Sequence, residues 1–180
     1  MSRSIGLISD THGRLPEAVL ELLRDCQLII HAGDIGSAWI LDALELIAPV
    51  TAVLGNNDRQ SDYPGLNWGW RGEIEGTDVF VTHTPDDVER YLRSCTGGAA
   101  GGAGAGGVAD GAVAPNLDSL TLPQICIHGH THMPRNELLY GVHTINPGAV
   151  TFPRGGTSAS VARLQLNAGR IERLDFLPLS

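Results

Sequence analysis

The sequence predicts an α/β fold, because strands and helices alternate along its first third and strands dominate the rest. Three apolar runs, at residues 4–9, 28–34 and 50–58, have the length and composition of buried strands. The two segments between them carry apolar residues at helical spacing. Such alternation favours a parallel sheet with right-handed crossovers.

Two amphipathic helices are predicted between these strands. In the first, Pro16 suits the first helical turn and Glu17 suits the positive end of the helix. Its apolar face is formed by Val19, Leu22, Leu23 and Cys26. The second helix follows Ser37, whose side chain can cap it. Its apolar face is formed by Ile40, Ala43, Leu44 and Ile47.

The second half of the chain is predicted to be rich in strands. Residues 72–83 predict two strands around a Gly-Thr turn, and residues 85–95 predict a short helix. Further strands are predicted at 124–129, 142–146, 158–166 and 170–179, the last two as an antiparallel pair. Residues 97–114 are a run of glycine and alanine, which predicts a flexible insertion or a lid. We therefore expect a single domain over residues 1–180 with this insertion.

Composition excludes several classes of protein. The chain has 180 residues, 42% of them hydrophobic, and no apolar run long enough for a membrane span or a signal peptide. We therefore expect a cytoplasmic protein. The net charge of −8 makes nucleic acid an unlikely partner, since nucleic-acid binding needs a basic surface. Three widely spaced cysteines predict reduced thiols, with no disulfide framework and no CxxC zinc site.

Polar side chains follow five of the predicted strands, often beside a glycine. They are Asp10, His12, Asp34, Asn56, His83, His130 and His132. Because sites in open α/β sheets form outside the carboxyl ends of strands, these residues are expected to converge. Their oxygen and imidazole donors suit manganese, with iron, zinc, cobalt or nickel as alternatives. Seven ligands are too many for one tetrahedral ion, but their number is suitable for two divalent ions. Taken singly, each residue has a simpler reading as a turn, a cap or a core residue.

The ordered motifs DTH, GD, GNND, TH and GHTH resemble those of the calcineurin-like metallophosphoesterases. The chain length and the segment INPGAVTFPR (145–154) resemble the small single-domain prokaryotic phosphodiesterase branch, whose fold a retromer scaffold subunit shares. The resemblance covers nearly the whole chain apart from the Gly/Ala tract. It implies a two-sheet β-sandwich flanked by helices.

The resemblance also implies how two metal ions are held. Asp10, His12 and His132 would bind the first ion. Asn56, His83 and His130 would bind the second, and Asp34 would bridge the two. A hydroxide bridging the ions would then attack the phosphorus of a small phosphodiester.

The three residues after the GN pair are further candidate site residues, and the resemblance bears on the first of them. Asn57 stands where many relatives have a histidine that serves the leaving group, and an amide can donate a hydrogen bond but not a proton. We therefore expect faster turnover of esters with good leaving groups. Asp58 is expected to orient neighbouring groups, and Arg59 to contact the phosphate. The segment THTP (82–85) departs from the His-Gly-His of many relatives, which leaves the mouth of the site undefined.

The resulting hypothesis is a metal-dependent phosphodiesterase acting on a small phosphoester. One alternative is a phosphomonoesterase, and another is a non-catalytic metal-binding scaffold of the same fold. A nuclease is disfavoured by the acidic charge and the lack of a second domain. Whether the protein is a homo-oligomer is left open.

Overall fold

The computed structural model of the chain describes residues 2–97 and 121–179. Apart from its first residue, the predicted Gly/Ala-rich insertion at 97–114 lies outside the described residues. The strands are β1 (Arg3–Ile8), β2 (Leu28–His31), β3 (Val50–Ala52), β4 (Gly69–Ile74), β5 (Thr77–Thr82), β6 (Ile125–Ile127), β7 (Arg135–Leu139), β8 (Val142–Asn146), β9 (Ser160–Asn167) and β10 (Arg170–Pro178). The helices are α1 (Glu17–Leu23), α2 (Trp39–Glu45) and α3 (Pro85–Cys95), and a 3₁₀ turn spans Gln60–Asp62.

These ten strands form two mixed sheets of five strands each within the described part of the chain. The first sheet has the order β10-β9-β1-β2-β3, and the second has the order β4-β5-β6-β8-β7. In the first sheet, β1, β2 and β3 are parallel, as their alternation with helices predicted. In the second, β5, β6 and β8 are parallel. The two predicted hairpins are confirmed as the antiparallel pairs β4-β5 and β9-β10.

The two sheets pack face to face through one apolar core. Ile5, Leu7 and Leu164 from the first sheet meet Val81 and Ile127 from the second, all with no exposed surface. Burying one such side chain contributes about 1.5–3 kcal/mol to folding, so this interface alone explains why the sheets stay together. The predicted two-sheet sandwich flanked by helices is therefore confirmed.

Helices cover the outer faces of the sandwich. Val19 and Leu44, from α1 and α2, pack on the first sheet, and Val88 and Leu92 of α3 pack on the second. Helix α3 begins at the predicted place because the Thr84 hydroxyl caps the Asp87 N–H group and Pro85 occupies the first turn. Within the described ranges, no helix has both the length and the apolar character needed to cross a membrane.

Two local features differ from the sequence-based expectation. Strand β7 was not predicted, because four of its five side chains are exposed and it lacks an alternating apolar pattern. It is an edge strand that forms a hairpin with β8. The expected cap at Ser37 is wrong: α2 begins one residue later, with Ala38 at its cap position and no side-chain cap bond. The Ser37 carbonyl instead accepts the Ile40 N–H group.

Candidate metal centre

The seven side chains predicted to bind metal all lie in loops that follow strands. They are Asp10 and His12 after β1, Asp34 after β2, Asn56 after β3, His83 after β5, and His130 and His132 after β6. Because these strands are parallel within each sheet, their carboxyl ends emerge at one edge. The His130 N–H group donates to Asp10 Oδ2 at 3.1 Å, which joins the loops of the two sheets.

Five of these seven residues have a backbone conformation that residues with a side chain rarely adopt. Among the described residues, nine non-glycine residues have a positive φ, and five of them are Asp10, His12, Asp34, His130 and His132. Three others precede a glycine in hairpin turns, where a positive φ is expected. The ninth, Phe152, lies beside the same site. Backbone strain of this kind concentrates at functional sites.

The first group of candidate ligands consists of Asp10, His12 and His132. Asp10 Oδ1 lies 3.1 Å from His132 Nε2, and the Nε2 atoms of His12 and His132 lie 3.5 Å apart. Asp10 and His132 are buried, and the His12 side chain is only 21% exposed. Three donor atoms at these separations can share one cation.

The second group consists of Asp10, Asp34 and His83. His83 Nε2 lies 3.4 Å from Asp34 Oδ2 and 3.9 Å from Asp10 Oδ1. Asp34 Oδ2 is also 3.8 Å from His12 Nε2 in the first group. The two groups are therefore contiguous, and both carboxylates reach from one to the other.

Two buried atoms at the centre of these groups have no hydrogen-bond partner among the described residues. They are Asp10 Oδ1 and His83 Nε2. A buried carboxylate oxygen or imidazole nitrogen without a partner is costly, so native structures normally satisfy such atoms. A cation between them would satisfy both, and carboxylate and imidazole are suitable donors for divalent transition metals. These residues therefore fit a divalent metal ion.

Contacts behind the imidazoles hold them in the orientation that metal binding needs. His83 Nδ1 donates to the Ala32 carbonyl at 2.7 Å, and His132 Nδ1 donates to the Phe152 carbonyl at 2.8 Å. Each bond turns Nε2 towards the centre. Asp10 is fixed in the same way, because its Oδ2 accepts the Ser9 hydroxyl at 2.7 Å. Supporting bonds of this kind orient metal ligands in proteins.

The charges of the second group stabilise one another. Burial opposes ionisation of Asp34, but the nearby His83 ring and the hydrogen bonds from Asn57 hold its pKa well below the usual range. Burial likewise opposes protonation of His83, yet the nearby carboxylates of Asp34 and Asp10 raise its pKa. Asp34 is therefore ionised at neutral pH and can bind a cation, which would replace the proton on His83.

Asn56 and His130 lie on the more exposed side of the centre. Their Oδ1 and Nδ1 atoms are 2.9 Å apart, and the ring centroids of His130 and His83 are separated by 5.3 Å. A cavity of about 210 Å³ opens here. It is lined by His12, Asp34, Asn56, Asn57, His130, His132, Phe152 and Arg154. Asp10 is not among these lining residues, since it lies beneath them with no exposed surface.

Asp58 supports the loops of the site from behind. Its carboxylate accepts the backbone N–H groups of Ile35 (3.1 Å), Gly36 (2.9 Å) and Gly55 (2.9 Å). Its surface is only 7% exposed. These bonds tie the Asp34 loop to the Asn56 loop. The contacts fit a residue that orients its neighbours, and Asp58 is not among the residues that line the cavity.

We expect Asp58→Asn to lower the free energy of unfolding by about 2 kcal/mol, because the amide cannot accept all three N–H groups. The loops that carry Asp34 and Asn56 would shift, and we expect kcat to fall by about 10- to 100-fold, as for other groups that orient metal ligands. The shape of the pH–rate profile should stay the same. Asp62→Asn, which alters an exposed carboxylate of the same loop, is the control. Loss of one limb of the profile would instead identify Asp58 as a proton donor or acceptor.

The arginine at the cavity is not the one that the sequence suggested. Arg59 is exposed and is not among the residues that line the cavity, whereas Arg154 is. Within the described ranges the Arg154 side chain forms no ion pair, so its charge is available to an anion. Arg154 and the nearby Phe152 both belong to the segment 145–154. Nothing in the sequence around them predicted that they would lie at the cavity.

The other histidines near the site lie behind it. His31 Nε2 lies 3.0 Å from the Thr11 hydroxyl, and burial lowers the His31 pKa to about 3. Burial also lowers the pKa of His128 to about 4, so both rings are neutral at pH 7. Asn146 donates to the Gly129 carbonyl at 2.7 Å and accepts the Gly148 N–H group at 2.9 Å. It thereby braces the loop that carries His130 and His132.

Comparisons with known proteins agree with this geometry. Residues 4–169 match the family model described as the calcineurin-like phosphoesterase superfamily domain. The chain is 34% identical to a protein of Methanothermobacter thermautotrophicus named probable metallophosphoesterase, over 93% of this chain and 88% of that one. It is 28% identical to the phosphodiesterase YfcE of Escherichia coli, over 87% of this chain and 84% of that one.

Solved structures with low sequence identity share the fold. The structure of Vps29 from Entamoeba histolytica complexed with Zn²⁺ superimposes with a TM-score of 0.67 over 98% of each chain. The two sequences are 18% identical, so this likeness concerns the arrangement of strands and helices alone.

Proposed function

Because the chain belongs to the calcineurin-like phosphoesterase superfamily and is a metal-dependent phosphoric ester hydrolase, we propose that it hydrolyses small phosphodiesters with two divalent metal ions. The observation that carries this proposal is the pair of contiguous ligand groups, whose central atoms Asp10 Oδ1 and His83 Nε2 are buried without partners. The named activity of the Escherichia coli relative supports a diester as the substrate.

The proposed ligand sets follow the two groups. Asp10, His12 and His132 hold the first ion, and their donor atoms already lie together. For the second ion we propose Asn56, His83 and His130, of which His83 is the innermost. Manganese is the proposed metal, since mixed oxygen and nitrogen donors without thiolate suit it.

Asp34 is the proposed bridging ligand. Its Oδ2 lies within 3.8 Å of His12 Nε2 and within 3.4 Å of His83 Nε2, so it can contact an ion in each position. Asp10 Oδ1 also reaches both groups, but Asp10 lies below the cavity whereas Asp34 lines it. A shared ligand that faces the cavity leaves the ions open to substrate on the same side.

Bound divalent ions would supply a water of lowered pKa and would neutralise charge on the phosphoryl oxygens. The residues of the chain have different tasks. Arg154 donates to a non-bridging phosphoryl oxygen from the cavity wall, where its guanidinium has no carboxylate partner among the described residues. Asn57 donates from its side chain to Asp34 Oδ2 at 2.6 Å, and the same amide can donate to the leaving oxygen. Since an amide cannot transfer a proton, esters with good leaving groups should react fastest.

Hydrolysis of bis(p-nitrophenyl) phosphate tests the proposal. We expect turnover with added Mn²⁺, a loss of at least about 100-fold in the presence of a chelator, and recovery when Mn²⁺ is restored in excess. In a series of diesters, kcat should rise as the pKa of the leaving alcohol falls. The rate of p-nitrophenol release and the metal content of the protein are measured on the same samples.

Three results would contradict the proposed function. Turnover that persists after the metal has been removed would exclude metal-dependent hydrolysis. Stoichiometric binding of Mn²⁺ without hydrolysis of any ester would favour a metal-binding scaffold. Faster turnover of p-nitrophenyl phosphate than of the diester would make the protein a phosphomonoesterase.

A further inference from the structure

Phe152 is exposed at the rim of the cavity in a strained conformation. Its surface is 60% exposed and its φ is +54°. Its carbonyl accepts His132 Nδ1 at 2.8 Å, which explains why the backbone turns at this position. That role does not require a phenyl ring, because glycine would supply the same carbonyl without strain. The exposed ring therefore needs a separate explanation.

The ring is held over the mouth of the site by its neighbours. The centroids of the Phe152 and His12 rings lie 5.9 Å apart in an edge-to-face arrangement. The guanidinium carbon of Arg14 lies 5.7 Å from the Phe152 centroid, within the range of a cation–π contact. Within the described part of the chain, neither Arg14 nor Arg154 forms an ion pair. Phe152 and Arg154 thus line the opening, and the Arg14 guanidinium lies against the Phe152 ring.

The size of the cavity limits what can lie inside it. Its volume of about 210 Å³ is below the roughly 300–1,000 Å³ of pockets that enclose whole drug-sized ligands. A phosphoryl group and the first atoms of its ester groups can be enclosed. The remainder of an ester group must extend across the rim, where Phe152 lies with Arg14 against its ring.

We propose that Phe152 and Arg14 form a binding platform for an aromatic ring carried by one ester group of the substrate. The inference rests on the proposed function and specifies its substrate class: phosphoesters with a phenyl-type or nucleobase ring. Such rings stack on aromatic side chains and on arginine guanidinium planes. The phosphoryl group lies between Arg154 and the metal ligands, and the ring lies over Phe152.

Ligand binding to the manganese-loaded protein tests the platform without requiring turnover. Titration calorimetry compares phenyl phosphate with methyl phosphate, and adenosine monophosphate with ribose phosphate. We expect the aromatic member of at least one pair to bind about tenfold more tightly, as one stacking contact predicts. The pair with the larger ratio identifies the ring as phenyl-type or nucleobase. Phe152→Ala should reduce both ratios to about one, and Phe152→Leu should retain only part of the preference.

Tyr140→Ala is the matched control. Tyr140 is an aromatic residue that is 44% exposed, has the same φ of +54° and does not line the cavity. This variant should keep the wild-type ratios. Equal affinities within both pairs for the wild type, ratios that survive Phe152→Ala, or no binding of any of the four compounds would each overturn the platform. Failure of the proposed function is distinguishable, because it removes diester hydrolysis but leaves these affinity ratios in place.

Discussion

Asp34→Asn is expected to lower kcat for bis(p-nitrophenyl) phosphate by at least about 1,000-fold, because it removes the charge of the proposed bridging ligand. Asparagine has nearly the same shape and tolerates the positive φ of +56° at this position, so the fold should survive. The variant should also bind Mn²⁺ more weakly and with a lower stoichiometry. Steady-state rates over a range of Mn²⁺ concentrations separate weaker binding from slower chemistry.

Asp25→Asn is the control for this substitution. Asp25 is an exposed aspartate at the end of α1, with a side chain that is 72% exposed. The control should keep the wild-type rate and metal content. Retention of wild-type turnover by Asp34→Asn at saturating Mn²⁺ would show that no shared ligand is needed, and it would contradict the proposed mechanism.

Gly55→Ala is expected to disrupt the site by crowding. A Cβ atom at Gly55 would lie 2.8 Å from Asp34 Cγ and closer still to the Asp34 backbone nitrogen. The contact is with buried backbone, so Asp34 and its loop must move. Overpacking of this kind should lower the free energy of unfolding by about 3 kcal/mol, and a ligand displaced by about 1 Å should reduce kcat about 100-fold. Thermal unfolding and turnover are measured together.

Gly65→Ala separates crowding from backbone strain. Gly65 has a φ of +93°, but no atom lies within 4 Å of the position of its Cβ. In this control, backbone strain alone should lower the free energy of unfolding, by about 1–2 kcal/mol. Turnover should be unchanged. If Gly55→Ala kept both its stability and its rate, the close packing of the Asp34 and Asn56 loops would have no functional importance.

The sequence was informative wherever function depends on uncommon residues at recognisable positions. Apolar runs defined β1, β2 and β6, and the aspartate and histidine residues that follow them meet as the parallel strands require. The helices could be predicted because their apolar faces recur at helical spacing. Strand β7 could not, since exposed side chains on an edge strand leave no pattern.

Features that depend on tertiary contacts were beyond prediction. The position of Arg154 at the cavity depends on the loop anchored by the bond from His132 to the Phe152 carbonyl, and no local signal in the sequence reports that bond. The buried role of Asp58 is similar, because its three N–H partners include two from a distant loop. The positive φ values of the candidate ligands could not be predicted either, since aspartate and histidine occur in many conformations.

Anomalous scattering from crystals grown with Mn²⁺ tests the central claim most directly. Two manganese peaks about 3.5–4 Å apart are expected, with the Asp34 carboxylate between them and Asp10 Oδ1 and His83 Nε2 among the coordinating atoms. A single peak, an empty centre, or an Asp34 carboxylate that contacts neither ion would contradict the dinuclear account.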